Sequence, residues 1–201
     1  FALVAVAVAQ PIAPLLTNPI ERMTPPDPTR AAPAVTLPPL TPRTGPGAVQ
    51  RVRIGNAVVT GNTAVPSARF AAPLATLAGQ EVTLAQVEEV RIAVLTAYRA
   101  AGYPFAAVDA GLTPRPDGQA DAAFRITEGY IAEVKLEGDV GPSGTQVLRF
   151  LEPLPRLRPV TGEALERALL LASDIPGLTV RGVVRPLPSE PGALQLVAQL
   201  T

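Results

Sequence analysis

Proline is the residue that a helix interior or a central strand tolerates least, because its ring fixes φ and its nitrogen carries no hydrogen. This chain of 201 residues holds 24 prolines, and eleven of them lie between Pro11 and Pro46. Runs such as Pro25-Pro26-Asp27-Pro28 and Leu37-Pro38-Pro39-Leu40-Thr41-Pro42 fall in this stretch. Residues 10–48 are therefore expected to form an extended, polyproline-like linker rather than part of a packed layer. At ~3.1 Å per residue its 39 positions reach roughly 120 Å when fully drawn out. The folded part is expected to begin at residue 49.

Residues 1–9, Phe1-Ala2-Leu3-Val4-Ala5-Val6-Ala7-Val8-Ala9, are apolar throughout. Nine residues are too few to span a bilayer, for which about 18 are needed. An apolar run closing on small-x-small, here Ala7-Val8-Ala9, fits the end of an export signal. The segment is expected to be the remnant of a signal peptide, which places the mature protein outside the cytoplasm.

Composition removes several chemistries. The chain has no His and no Cys, so it has no imidazole base, no thiolate and no Cys/His zinc site. Seventeen basic residues balance seventeen acidic ones, which argues against a reader of the phosphate backbone. Glu88 and Glu89 are adjacent on a helix, about 100° apart, and do not converge on a substrate. Gly138-Asp139-Val140-Gly141-Pro142-Ser143-Gly144 lacks the lysine and spacing of a phosphate loop and is expected to be a strand-to-helix turn. None of the four serines stands in Gly-x-Ser-x-Gly. No enzyme, cofactor, metal, nucleic acid or small-molecule substrate is expected.

Periodicity in the remainder gives one pattern twice. Residues 51–60 alternate as a strand and stop at Gly61-Asn62. Residues 67–77 are a short helical segment that Pro73 should kink or shorten. Thr83 and Gln86 form a capping box, and Leu84, Val87, Val90, Val94, Leu95, Tyr98 and Ala101 recur at helical spacing up to Gly102. Arg91 falls at the margin of this stripe and Ile92 off it. Strands are expected at 104–110 and 120–127, around Pro114-Arg115-Pro116-Asp117-Gly118. A second strand, 131–137, stops at Gly138-Asp139, 77 positions after Gly61-Asn62. Thr161 opens a helix towards Ile175, and strands are expected at 179–185 and 193–200. The fold class is α+β: two tandem β-α-α-β-β units, each a three-stranded sheet with two helices.

Val59-Thr60-Gly61-Asn62-Thr63, the helix ending Ala97-Tyr98-Arg99-Ala100-Ala101-Gly102-Tyr103-Pro104, and Ile126-Thr127-Glu128-Gly129-Tyr130-Ile131 resemble POTRA (polypeptide-transport-associated) domains. The likeness is to the first POTRA domain of two-partner secretion transporters, outer-membrane proteins that export haemolysins and filamentous adhesins. Leu169-Leu170-Leu171-Ala172-Ser173-Asp174-Ile175-Pro176-Gly177-Leu178 resembles the second. The resemblance covers residues 49–201 and implies POTRA 1 over 49–129 and POTRA 2 over 130–201. It further implies a periplasmic place in a Gram-negative outer-membrane protein, an unfolded secreted exoprotein as client, and a C-terminal β-barrel as the other partner. Pro14 and Pro19 interrupt residues 12–23, where such proteins carry a plug helix.

A small sheet with an unpaired edge can take an extended client as an added strand. Strand 104–110 and the helix before it are expected to face the client, through Ile92, Tyr103, Phe105 and Val108 beside a shallow apolar groove. Tyr103 also fits a cover over the turn, and an isolated Ile92 an ordinary surface position. The alternative function is a structural adaptor in a barrel-assembly or envelope complex.

Overall fold

The period-two pattern from residue 51 onward becomes β1 (Arg51–Thr60) in the computed structural model, which describes residues 50–138 and 140–201. The expected signal remnant and linker at 1–48 lie outside the described residues. After β1 come a 3-10 turn (Ser67–Phe70), α1 (Ala71–Ala75), β2 (Glu81–Thr83), α2 (Leu84–Ala100), β3 (Ala107–Pro114) and β4 (Ala120–Thr127). The sheet order is β2-β1-β4-β3, with β1 parallel to β4 and β3 antiparallel to it. The second unit runs β5 (Tyr130–Gly138), α3 (Ser143–Leu151), a 3-10 turn (Leu154–Arg156), α4 (Gly162–Ser173), β6 (Val180–Pro186) and β7 (Ala193–Leu200). Its order is β5-β7-β6, with β5 parallel and β6 antiparallel to β7. Both units are thus α+β with the expected β-α-α-β-β succession, and the first adds the short β2, paired with Arg51–Arg53.

Helix α2 begins and ends where its side chains dictate. The Thr83 Oγ1 accepts from the Gln86 amide at 3.3 Å, and the Thr83 amide donates to Gln86 Oε1 at 2.8 Å. At the other end Gly102 takes φ +89°, and the Tyr103 amide donates to Tyr98 O at 3.0 Å. This closure satisfies carbonyls that the helix leaves unpaired.

Three expected boundaries move. The helix expected at 67–77 is a 3-10 turn followed by a five-residue α1, because Pro73 supplies no amide hydrogen to a longer ladder. The strand expected at 104–110 begins three residues later and extends to Pro114, because Tyr103, Pro104 and Phe105 are used in closing α2 and joining the units. Helix α4 stops at Ser173, short of Ile175.

Each sheet buries one face under its helices. The burial of β4 alternates, placing Ala120, Ala122, Phe124 and Ile126 in a core with Ile54, Phe70, Val94 and Tyr98. The second core gathers Ile131, Val147, Leu151, Leu165, Leu169, Leu196 and Leu200. Phe70 stacks on Tyr98 with centroids 5.7 Å apart, fixing the first 3-10 turn to α2.

The units meet through backbone. The Gly162 amide donates to Gly102 O at 2.9 Å, and the Val160 amide to Gly129 O at 3.0 Å. Phe105 packs against the second core. Gly129 is required by this approach: a Cβ there would lie 2.5 Å from the Phe105 carbonyl oxygen and 2.6 Å from its Cβ. Gly129→Ala is expected to lower stability by about 1–3 kcal/mol through overpacking, read as a reduced urea midpoint with an unchanged slope.

Candidate binding edge

Glu128 follows β4 and gathers the loop after β1 and helix α2 onto one carboxylate. Its Oε1 accepts from the Thr63 amide at 2.7 Å, the Ala64 amide at 2.8 Å and the Tyr98 hydroxyl at 2.7 Å. Its Oε2 takes the Thr63 hydroxyl in a short hydrogen bond. Burial opposes the charge, yet these donors outweigh it and hold the carboxyl below its usual range. The Tyr98 hydroxyl is displaced the other way, upward, by burial and by its bond to Glu128. The carboxylate thereby fixes how α2 lies on the sheet, and α2 carries the side chains beside β3.

Strand β3 ends its sheet among the described residues, and its hydrogen-bonding parity follows from the hairpin. The Arg115 amide donates to Gln119 O at 2.8 Å, which makes that opposed pair a hydrogen-bonded one. Stepping by two through the register, Thr113, Gly111, Asp109 and Ala107 bond to β4. Val108, Ala110, Leu112 and Pro114 therefore turn their amide and carbonyl groups away from β4, to the open side. Pro114 has no hydrogen to present there, which is the position an edge strand allows.

Arg91 of α2 reaches this edge. Its Nη1 donates to Val108 O at 3.3 Å, while Nε and Nη2 bind Glu88 Oε2 and Oε1 at 2.8 and 2.7 Å. The residue is only 5% exposed. The bond to Glu88 raises its pKa against the opposing effect of burial. The stripe's margin, where the sequence puts Arg91, is thus the β3 flank of α2, and helical spacing continues it through Leu95 and Glu88 to Ile92.

The four residues expected to meet a client fall in two places. Ile92 is half-buried on the β3 flank of α2. Val108 is on the edge strand, but its side chain is 2% exposed and faces the core, and its carbonyl is taken by Arg91, so only its amide is turned to the open side. Val108→Asp would consequently bury a charge and test folding rather than binding. Tyr103 and Phe105 follow the end of α2 and divide between the units: Tyr103 packs edge-to-face on Tyr98 at 6.2 Å in the first core, and Phe105 against the second core. The outward residues Ala110 and Leu112 were not anticipated. Pro114 opposite Ala120 is the signal that fixes their parity, once the hairpin is known.

The other edges are less open. β2 has three residues. β5 carries a register irregularity at Ile131/Glu133 and a Lys135–Glu137 ion pair. β6 displays exposed Arg181 and Arg185, cations of the kind that blunt strand edges. The β3 positions beside its outward groups are Ala107, Asp109, Gly111 and Thr113. Elsewhere a groove of about 400 Å³ lies along α3 and α4, with Phe150, Leu157 and Leu171 in its lining. Among the described residues there is no acidic or metal-ligating cluster that could hold an ion. No described helix is long and apolar enough to cross a membrane.

Residues 52–115 match the family model of the POTRA domain, ShlB-type. The fold is similar to that of CdiB from Escherichia coli at 20% identity and a TM-score of 0.60, over 81% of this chain and 30% of that one. The N-terminal domain of Omp85 from Thermosynechococcus elongatus is similar at 17% identity and a TM-score of 0.54, over 74% and 66%. The POTRA1-3 region of the periplasmic domain of Omp85 from Anabaena follows at 15% and 0.51, over 76% and 65%. The chain thus spans under a third of the CdiB chain it matches. No curated protein sequence matches it.

The Glu128 cluster has a pH signature. A carboxyl held below its unfolded value of about 4.5 contributes stability above that pH and loses it as pH falls through the lowered folded value. Glu128→Gln is expected to cost about 2 kcal/mol at neutral pH, with the difference between variant and unmodified chain shrinking below pH 4.5 in urea unfolding followed by circular dichroism.

Proposed function

We propose that this chain, whose first unit is a POTRA domain of the ShlB type, is the periplasmic client-recognition region of an outer-membrane transporter. It captures an unfolded secreted polypeptide as an added strand on β3 and passes it to a C-terminal β-barrel pore. The observation that carries this reading is the row of outward main-chain groups at Ala110 and Leu112, with the Val108 amide, on a strand whose second side has no neighbour among the described residues.

Main-chain pairing suits such a client because it is nearly blind to sequence. Each added bond contributes a net ~1 kcal/mol. Several bonds with a few side-chain contacts give about −4 to −8 kcal/mol, or roughly 1 mM to 1 μM. An intermediate of transport needs to be released, and affinity in this range allows it. With seventeen charges of each sign, long-range steering is not the basis of capture. Chemistry at a catalytic centre plays no part in this role.

A second reading, a scaffold that holds a folded partner in a barrel-assembly or envelope complex, has one observation in its favour. Leu148, Phe150, Leu157, Leu170 and Leu171 of the second unit are all exposed. The two readings separate on the state of the partner: the first needs an extended chain, the second a folded surface.

Ala110→Pro tests the capture directly. Ala110 bonds to nothing on β4, so proline there removes an outward amide without removing a ladder bond. The variant is expected to keep its unfolding midpoint within a few degrees and to lose about tenfold or more in affinity for an unfolded segment of the secreted client, measured by calorimetry. Unchanged affinity with folding intact would remove β3 as the capture site.

A further inference from the structure

We propose that Arg91 and Pro114 bound the β3 edge, limiting an added strand to a short window centred on Ala110 and Leu112 and so fixing its register. This rests on the strand-capture reading above. An added strand that pairs fully with an edge residue must donate to its carbonyl and accept from its amide. At Val108 the carbonyl is already bonded to Arg91 Nη1 at 3.3 Å, and the guanidinium stands where the next residue of the added strand would donate. At Pro114 there is no hydrogen to give. Ala110 and Leu112 alone offer both groups.

Arg91 is held in this role rather than passing through it. Both remaining nitrogens that face Glu88 are bonded, at 2.8 and 2.7 Å, and the pair is nearly sealed, with side chains 6% and 12% exposed. Opening the window would require breaking a bond of an ion pair withdrawn from water, where a lost partner is costly. The second unit provides the contrast. Its helix α4 is capped at Thr161 as α2 is at Thr83, an interval of 78, and the position 78 after Arg91 is Leu169. Leu169 is 0% exposed and lies against Gly182 of β6 as an ordinary core residue. Packing on the sheet therefore asks for an apolar side chain at this helical position, and the first unit has instead an arginine bonded to the edge. A bounded window also serves transport, because each captured stretch is short and the affinity does not grow with the length of client that slides past.

The test uses end-capped Thr/Val peptides of five and nine residues with the 201-residue chain, read by amide hydrogen exchange and by titration. In the unmodified chain both peptides are expected to bind within about twofold of each other and to slow exchange at Ala110 and Leu112, leaving Val108 unchanged. The double substitution Arg91→Met with Glu88→Leu removes the pair together, so no lone charge is left buried. In it the nine-residue peptide is expected to gain about tenfold over the five-residue one and to protect Val108. Pro114→Ala, an exposed change at the other end that leaves the Arg91 pair intact, is expected to give the longer peptide about fivefold. Protection of Val108 in the unmodified chain, or no length dependence in either variant while Ala110 and Leu112 are protected, overturns the bounded window. Protection at none of these amides overturns the strand-capture reading itself, and the window with it.

Discussion

The first unit depends on a carboxylate placed where a carboxylate is expensive. Glu128 is drawn into the structure against desolvation, and four donors from two segments make that placement favourable. Two of the donors are backbone amides just past β1, at Thr63 and Ala64, which have no strand or helix partner to bind. The third is the hydroxyl of Tyr98, whose ring fills the core beneath α2. One side chain thus satisfies a loop, a buried phenol and the end of β4 together. Its position sets α2 against the sheet and, through α2, Arg91 against β3.

Beyond Glu128 the chain turns at once into the second unit, and the joint is built from glycines, main chain and the Phe105 side chain. Gly129 lets Phe105 come within contact, and Gly102 and Gly162 approach closely enough to share a hydrogen bond. The turn that closes α2 is therefore also the contact surface for the next unit, which is why β3 starts three residues late. Local helix capping and inter-unit packing are the same structure seen from two sides. The two units repeat one architecture, yet they differ at the helical position facing the edge strand, arginine in one and leucine in the other.

Much of this is legible in the amino-acid sequence, for identifiable reasons. Helix α2 has punctuation at both ends, Thr83 with Gln86 and then Gly102, and a stripe seven residues strong between them. The two β-α-α-β-β units are legible because their turns carry glycine and their strands alternate. The three residues of β2 have no room for a period, so the fourth strand is invisible. Strand parity is harder still: a shift of one residue exchanges the core face for the open one. Val108 reads equally well as a contact or as core until Arg115 and Gln119 fix the hairpin. The role of Arg91 depends on a backbone carbonyl, an acceptor every residue has, and no residue pattern announces it. Residues 1–48, which hold eleven of the 24 prolines, lie outside the described structure.

The central claim is that an unfolded client adds to β3. The most direct measurement is site-specific photo-crosslinking in cells making the proposed transporter together with the proposed secreted client. The crosslinking residue is placed in turn at the exposed positions Asp109, Gly111 and Thr113 of β3, at Arg181 and Arg185 of β6, and at Leu157 and Leu171 beside the second-unit groove. Adducts with the secreted protein along β3, and none from β6 or the groove, are the result expected here. Adducts confined to β6 or to the groove, with β3 silent, would contradict it.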